Sequence, residues 1–271
     1  MQILAATGGA SHSDIAVRMA AAIAQLTGGK LTILTVIKRE SEWPQAEAIL
    51  TRAKMLVSPE LSGVRGRIRQ WQAAEAIVKE ARDGKYDLIV VGERPEHGLS
   101  RRFLAPTAER VIQHLPCPVL IARGRIRPLR RVLVCEGGRE PSLLSRLISS
   151  LAPFVQTFHE LTVLHVMSQI TAGPGVPDWE LQAGAEELMQ KHTREGELLE
   201  DDLERLAQLN IRLEAKVRHG LVVEEILDEA RSGDYDLIVI GAHQRQGWVR
   251  FLLDDLAHQI IVHADRPLLV V

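Results

Sequence analysis

The sequence predicts an α/β protein made of two tandem, open, doubly wound parallel sheets with five strands each. Three observations predict it. The chain has 271 residues, too many for one ordinary domain. It repeats itself internally. Short apolar runs bounded by turn residues alternate with amphipathic stretches of helical length, the pattern of a parallel sheet covered on both faces. The repeat is the strongest of the three, because self-similarity at a fixed offset decides the architecture before any single element is assigned. Residues 81–92 read ARDGKYDLIVVG and residues 230–241 read ARSGDYDLIVIG, nine identities in twelve at an offset of 149. His114 and Pro118 recur at the same offset as His263 and Pro267. Earlier in each copy, residues 3–9 match 132–138 at an offset of 129, and 31–36 match 161–166 at 130. The offset grows by 19 between the second strand and the third, so the second copy carries an insertion there.

In the first half, the apolar run at 2–6 stops at Thr7-Gly8-Gly9 and reads as the first strand. A helix over 12–27 follows, with Ser11, Ser13 and Asp14 as candidate caps. Strand 31–37 is rich in Thr, Ile and Val, helix 44–57 is amphipathic, and strand 65–69 is short. Helix 72–83 ends at Gly84, which suits a left-handed C-cap. Strand 87–92, helix 101–115 and strand 118–122 complete the copy. The second half repeats the strands at 131–135, 160–167, 212–218, 236–241 and 267–271. There Pro141 suits the first turn of the first helix, and Gly233 takes the place of Gly84. Five strands cannot close an eight-stranded barrel, so each sheet should be open. The predicted domains are 1–123 and 131–271, joined by a basic linker at 124–130. Five arginines lie between Arg123 and Arg131, read as a solvated connection rather than a polyanion patch. The insertion predicts one elongated acidic helix at about 179–209, with apolar positions at Leu181, Ala185, Leu188, His192, Leu199, Leu203 and Leu206. Residues 180–205 hold nine acidic and three basic side chains. That face is expected to be solvated.

Composition narrows the function. Hydrophobic residues are 46% and charged ones 25%, the balance of a globular chain. No apolar run reaches the ~18 residues a membrane helix needs, and no basic n-region opens the chain, so a cytoplasmic location is expected. With 33 Lys and Arg against 35 Asp and Glu, no global field draws the chain to nucleic acid or anionic lipid. Two cysteines, Cys117 and Cys135, make neither a disulfide framework nor a four-ligand zinc site. Cys117 lies between two prolines and reads as a small buried apolar residue. His12, His97, His243, His258 and His263 are scattered, and no metal ligand is assigned. Ser13, Ser100 and Ser142 lack the context of a nucleophile, so no catalytic residue is assigned.

Open parallel sheets bind ligands beyond the carboxyl ends of their strands. Two loops per half qualify, those after strands 1 and 4. After strand 1 come Thr7-Gly8-Gly9-Ala10-Ser11 and Glu136-Gly137-Gly138-Arg139. Paired glycines let backbone N–H groups approach an anion at a helix N-terminus, or simply make a tight turn at positive φ. After strand 4 the halves read Gly92-Glu93-Arg94-Pro95-Glu96-His97-Gly98-Leu99-Ser100-Arg101-Arg102 and Gly241-Ala242-His243-Gln244-Arg245-Gln246-Gly247-Trp248.

The D-L-I-V-V-G strand, the G-L-x-R-x-x-L loop and the segment His114-Leu115-Pro116-Cys117-Pro118-Val119-Leu120-Ile121 resemble the universal stress protein family. The resemblance covers the chain as two copies. It implies strand order 3-2-1-4-5 and an antiparallel pairing of fifth strands, made internally here by 118–122 and 267–271 as an intramolecular pseudo-dimer. Some members bind ATP through G-x2-G-x9-G-[ST] after strand 4, with an Asp in the strand 1 loop. Both copies depart from that pattern. Gly92 and Gly241 keep the first glycine; Pro95 and Gln244 replace the second. Ala105-Pro106 and Asp254-Asp255 replace the final pair, and Gly8 and Gly137 stand at the Asp position. Pro106 has no N–H to offer a phosphate, and two aspartates would repel one. The candidate nucleotide contacts are therefore confined to the first half: Gly8, Gly9, Val36 at the adenine edge, Gly92, Arg94, Gly98, Arg101, Arg102 and Thr107. No cofactor is expected, with ATP in the first half as the exception to test. The leading expectation is a non-enzymatic stress-response protein acting through a protein partner or weak anion binding, with a further homodimer open. The alternative is an ATP-binding switch with slow hydrolysis. A third reading, an ATP pyrophosphatase-type enzyme on the Gly8-Gly9 loop, lacks Asp-Ser in register.

Overall fold

A computed structural model of the protein describes residues 1–93, 106–138, 141–168, 179, 182–242 and 255–271. These pack as two units. One holds Met1–Pro128 with Ala242 and Asp265–Val270; the other holds Leu129–Gly241 with 255–264 and Val271. In the first, β1 (Gln2–Ala6), α1 (Ser11–Thr27), β2 (Lys30–Ile37), α2 (Trp43–Met55), β3 (Arg65–Gln70), α3 (Ala73–Asp83), β4 (Leu88–Gly92), α4 (Pro106–His114) and β5 (Val119–Ala122) follow in order. The strands lie parallel as β3-β2-β1-β4-β5, the expected doubly wound order. Right-handed crossovers place α1 and α2 on one face and α3 and α4 on the other. Strand β1 is central, with Ile3 opposite Leu31 and Leu88. Ile3, Leu4 and Ala5 are fully buried, and each such Ile or Leu side chain contributes about 2 kcal/mol.

The second unit repeats the plan with β6 (Arg131–Glu136), α5 (Leu143–Val155), β7 (Glu160–Met167), α6 (Ala185–Gln190), α7 (Arg194–Leu206), β8 (Arg212–His219), α8 (Val222–Ser232), β9 (Leu237–Ile240) and α9 (Asp255–His263). Its strands β8-β7-β6-β9 are parallel. The last strand, β10 (Leu268–Val270), packs with the first unit, antiparallel to β5 and with Leu269 opposite Leu120.

The repeated G-x-Y-D segment turns out to be a knot. Gly84 and Gly233 were expected as left-handed caps, but both are right-handed, at φ −87 and −83. The left-handed residues are the next ones, Lys85 and Asp234, at φ 49 and 51. Glycine is needed for room: a Cβ at either position would stand 2.2 Å from Cε2 of Tyr86 or Tyr235. Each tyrosine is buried and donates its hydroxyl to a buried glutamate on the preceding helix, Tyr86 to Glu80 at 3.2 Å and Tyr235 to Glu229 at 2.9 Å. The following aspartate ties strand 4 to the start of strand 1. Asp87 accepts the Gln2 N–H at 2.7 Å, and Asp236 accepts those of Arg130 and Arg131 at 3.0 and 2.9 Å.

Two cations of the third strand complete each knot. Glu80 takes Arg69 at 2.6 Å and faces Arg67 at 3.4 Å; Glu229 takes Lys216 at 3.0 Å and Arg218 at 2.9 Å. Burial pushes Glu229 up, but the bonds from Lys216, Arg218 and Tyr235 outweigh it and hold the carboxyl below its ordinary range. Burial likewise opposes charge on Lys216, and Glu229 outweighs it and raises the ammonium. Burial and the facing carboxylate raise both phenols.

Other local expectations are corrected. The single long helix at 179–209 is two helices, α6 and α7, broken at His192, whose φ is +49. Thr193 caps the second by accepting the Gly196 N–H at 3.1 Å. Gly196 lets that turn close onto α6, since a Cβ there would meet the Leu188 carbonyl at 2.1 Å. Leu188, Leu199 and Leu206 are buried as the stripe expects, whereas His192 is exposed. Helix α1 begins at Ser11 with Ala10 as its N-cap, so Ser13 donates to the Ala10 carbonyl at 2.7 Å instead of capping an amide. Pro141 precedes the Ser142 N-cap of α5 and is not in its first turn. Arg123, the last residue of the predicted first domain and one of the five arginines read as solvated, is buried against Glu93 at 3.2 Å.

Gly233→Ala should lower unfolding stability by about 2 kcal/mol through the clash with Tyr235, read as a shift in the urea midpoint. Glu229→Gln should cost about 2 kcal/mol at pH 7. Because the folded value of Glu229 is depressed, its contribution is complete above the ordinary carboxylate range and lost as pH falls through the folded value. The gap between wild type and variant should therefore narrow as pH falls below the ordinary carboxylate range.

Candidate functional site: the loops after the first strands

Where a central strand ends, its next N–H groups leave the sheet ladder and need an oxygen. In the first unit that oxygen is a hydroxyl. Thr7 is buried at the end of β1, and its Oγ1 accepts the Gly9 N–H at 3.1 Å and lies 3.0 Å from Ser13 Oγ. Gly9 sits at φ +81, with a Cβ position 2.8 Å from Ile49 of α2, so this glycine serves both turn and close packing. Arg52 of α2 donates to the Gly9 carbonyl at 2.7 Å and pairs with Asp14 in the first turn of α1. A carboxylate there suits the positive end of the helix. Gly8 is exposed, with open space where a Cβ would stand, and its N–H has no acceptor among the described residues.

In the second unit the oxygen is a carboxylate. Glu136 is buried at the end of β6, in register with Thr7. Its Oε1 accepts the N–H groups of Gly137 at 2.9 Å and Gly138 at 3.2 Å, and its Oε2 accepts that of Leu143, the first residue of α5, at 2.7 Å. Charge-assisted bonds of this kind are roughly twice as strong as neutral ones. Gly138 supplies the turn at φ +71. His165 of β7 lies with Nδ1 3.1 Å from the Glu136 carbonyl oxygen and donates to it as the Nδ1–H tautomer. The inserted helix α7 reaches the same corner: Ser142 caps α5 by accepting the Ser145 N–H at 3.1 Å and donates to buried Asp202 at 2.7 Å.

These loops differ in what they can hold. The first presents a neutral acceptor and one open N–H. The second already holds an anion on three amides. A phosphate beside Glu136 at ~4 Å would meet about 4 kcal/mol of repulsion per unit pair at an effective dielectric near 20.

The other predicted contacts lie as follows. Gly8, Gly9, half-buried Val36 at the end of β2, and Gly92 at the end of β4 share the carboxyl edge of the first sheet. Gly92 is glycine because a Cβ would stand 2.2 Å from the His12 carbonyl oxygen. Thr107 is half-buried in the first turn of α4. Arg94, Gly98, Arg101 and Arg102 lie outside the described residues, as do Asp254 and Trp248. Sequence reading missed Glu136 and Arg52. A signal for Glu136 existed: a charged residue closing an apolar strand just before paired glycines. Among the described residues no group of His, Cys, Asp and Glu could hold a metal ion, and no helix is long and apolar enough to cross a membrane.

Comparison with known proteins agrees with the repeat. The family model described as "Universal stress protein family" matches residues 1–123 and again 128–271. A universal stress protein of Mycolicibacterium smegmatis is 24% identical, covering 99% of this chain and 96% of its own length. One from Thermus aquaticus is 30% identical over 45% of this chain and 97% of its own. The crystal structure of a universal stress protein from Archaeoglobus fulgidus shares the fold, with a TM-score of 0.70 at 17% identity over 99% of this chain and 97% of that one.

Cys117 and Cys135 are half-buried, so Cys117 is less enclosed than the sequence reading expects, and their surroundings favour the thiol over the thiolate. Burial, reinforced by the Asp87 charge, pushes the Cys117 thiol up to about 12, and burial raises Cys135 as well. Iodoacetamide at pH 8 should leave both thiols of the folded protein largely unmodified and label both once urea unfolds it. Rapid labelling of either in the native state would contradict this environment.

Proposed function

The chain belongs to the universal stress protein family, and from that premise we propose that it works by binding rather than by turnover, as a tandem member whose second half holds no nucleotide. The observation that carries this reading is the seat of Glu136, whose carboxylate fills the amides of its own loop. A protein that spends its anion site on an internal side chain retains the fold as a scaffold for a protein partner or for weak anion binding elsewhere.

A second reading has its own observation. The first loop is filled only by the neutral Thr7 hydroxyl and leaves the Gly8 N–H to solvent. An ATP-binding switch, if the chain is one, therefore uses the first half: Gly8, Gly9, Val36, Gly92 and Thr107, with Arg94, Gly98, Arg101 and Arg102. The pairing of Arg52 with Gly9 and Asp14 would hold the loop shut until an anion competes for it.

Equilibrium titration with ATP separates these readings. The scaffold reading expects no saturable binding and no phosphate release above buffer. Micromolar binding at one site per chain, lost in Arg102→Ala and Gly98→Val, would favour the switch. Glu136→Ala should lose about 2 kcal/mol of stability as loop amides go unpaired, and added phosphate should restore part of it in the variant but not in wild type.

A further inference from the structure

Two surfaces outside the loops complement each other in charge. In the first unit, a groove of about 1050 Å³ lies between α3 and α4, lined among others by Trp71, Lys79, Arg82 and Arg110. Lys79, Arg82 and Arg110 are exposed and form no ion pair among the described residues. Its wall also carries two carboxylates, Glu75, which accepts the Trp71 indole N–H at 2.5 Å, and Asp83, so the three cations outnumber the acids by one. The Trp71 ring is 64% exposed, an apolar plate beside the charges.

The fold does not require this set. At the repeat offset, Trp71 becomes Gly220, Lys79 becomes Asp228 and Arg110 becomes Gln259. The surviving cation, Arg231, is neutralised by Asp228 at 2.6 Å. Among the described residues the second copy lacks this set of unpaired cations.

The second unit carries the opposite surface. Along α7, Glu197, Glu200, Asp201 and Glu204 are exposed at i, i+3, i+4 and i+7, one face of the helix about 10 Å long. None forms an ion pair among the described residues. Like charges at these spacings destabilise a helix by a few tenths of a kcal/mol per pair, so the stripe is a cost unless a cation meets it. Hydrophobic anchoring of α7 uses its other face, through Leu199 and Leu206.

We propose that two copies of this chain dock through these surfaces, the acidic stripe of α7 from one copy lying along Lys79, Arg82 and Arg110 of the other and covering Trp71. Both members of the pair are encoded in one chain, so each copy offers a groove and a stripe to another copy. A partner with a different acidic helix would fit the groove alone and leave the stripe unanswered. This contact is independent of whether any nucleotide binds.

Analytical ultracentrifugation tests it on the intact protein. Wild type should associate at micromolar concentration, and raising salt from about 0.1 M to about 1 M, which shortens the screening length from ~10 to ~3 Å, should weaken association at least tenfold. Reversing the groove (Lys79→Glu, Arg82→Glu, Arg110→Glu) or the stripe (Glu197→Lys, Glu200→Lys, Glu204→Lys) should each leave monomers. Mixing the two reversed proteins should restore a dimer, because each then meets the opposite sign on its partner. A wild type that stays monomeric at every concentration, a dimer indifferent to salt, reversed proteins with wild-type mass, or a mixture that remains monomeric would each overturn the proposal.

Discussion

An amide that leaves the end of a central parallel strand must find an oxygen, and in this protein the choice of that oxygen separates the two halves. The sheet geometry is common to both, so the loop after the first strand arrives at the same place with the same pair of glycines. A threonine hydroxyl meets it in one half and a glutamate carboxylate in the other. The difference is one of charge more than of shape. A neutral acceptor leaves the Gly8 N–H open to a visiting anion, whereas a carboxylate occupies the loop amides from within.

The parts that duplication left alike are those that hold helix to strand. The Gly-x-Tyr-Asp segment meets a buried glutamate and two cations in both units, although the first of the two cations along the strand is Arg67 in one and Lys216 in the other. Among the described residues none of these groups is hydrogen-bonded or ion-paired to the loops after strand 1. Stability and ligand chemistry therefore sit in different residues, and the loops and the outer helix faces were free to diverge while the knots were retained. The acidic insertion follows the same division: Asp202 ties α7 to the cap of α5, while its outer face is left for solvent or a partner.

Much of the fold was legible because periodicity and repetition are properties of the whole chain, set by burial at many positions together. Strand positions in both halves came out within a residue or two for this reason. What was illegible depended on single contacts. Gly84 and Gly233 look like helix caps in sequence, yet their role is to admit a tyrosine ring two residues on. The break before Thr193 is hidden inside a leucine stripe that continues across it, because Leu188 before the break and Leu199 and Leu206 after it are all buried. At the site, the loops themselves were legible from their glycines. The occupation of the second loop was not, because an acidic residue after an apolar strand reads as a surface charge until its distance to three amides is known.

The most direct test of this account is the amide NMR spectrum of the full chain during titration with ATP. The resonances of Gly137, Gly138 and Leu143 should stay fixed to saturation, whatever Gly8 and Gly9 do, because Glu136 already holds those three N–H groups. Saturable shifts at Gly137, Gly138 and Leu143 in the wild-type protein would show the carboxylate displaced by a phosphate and would contradict the account.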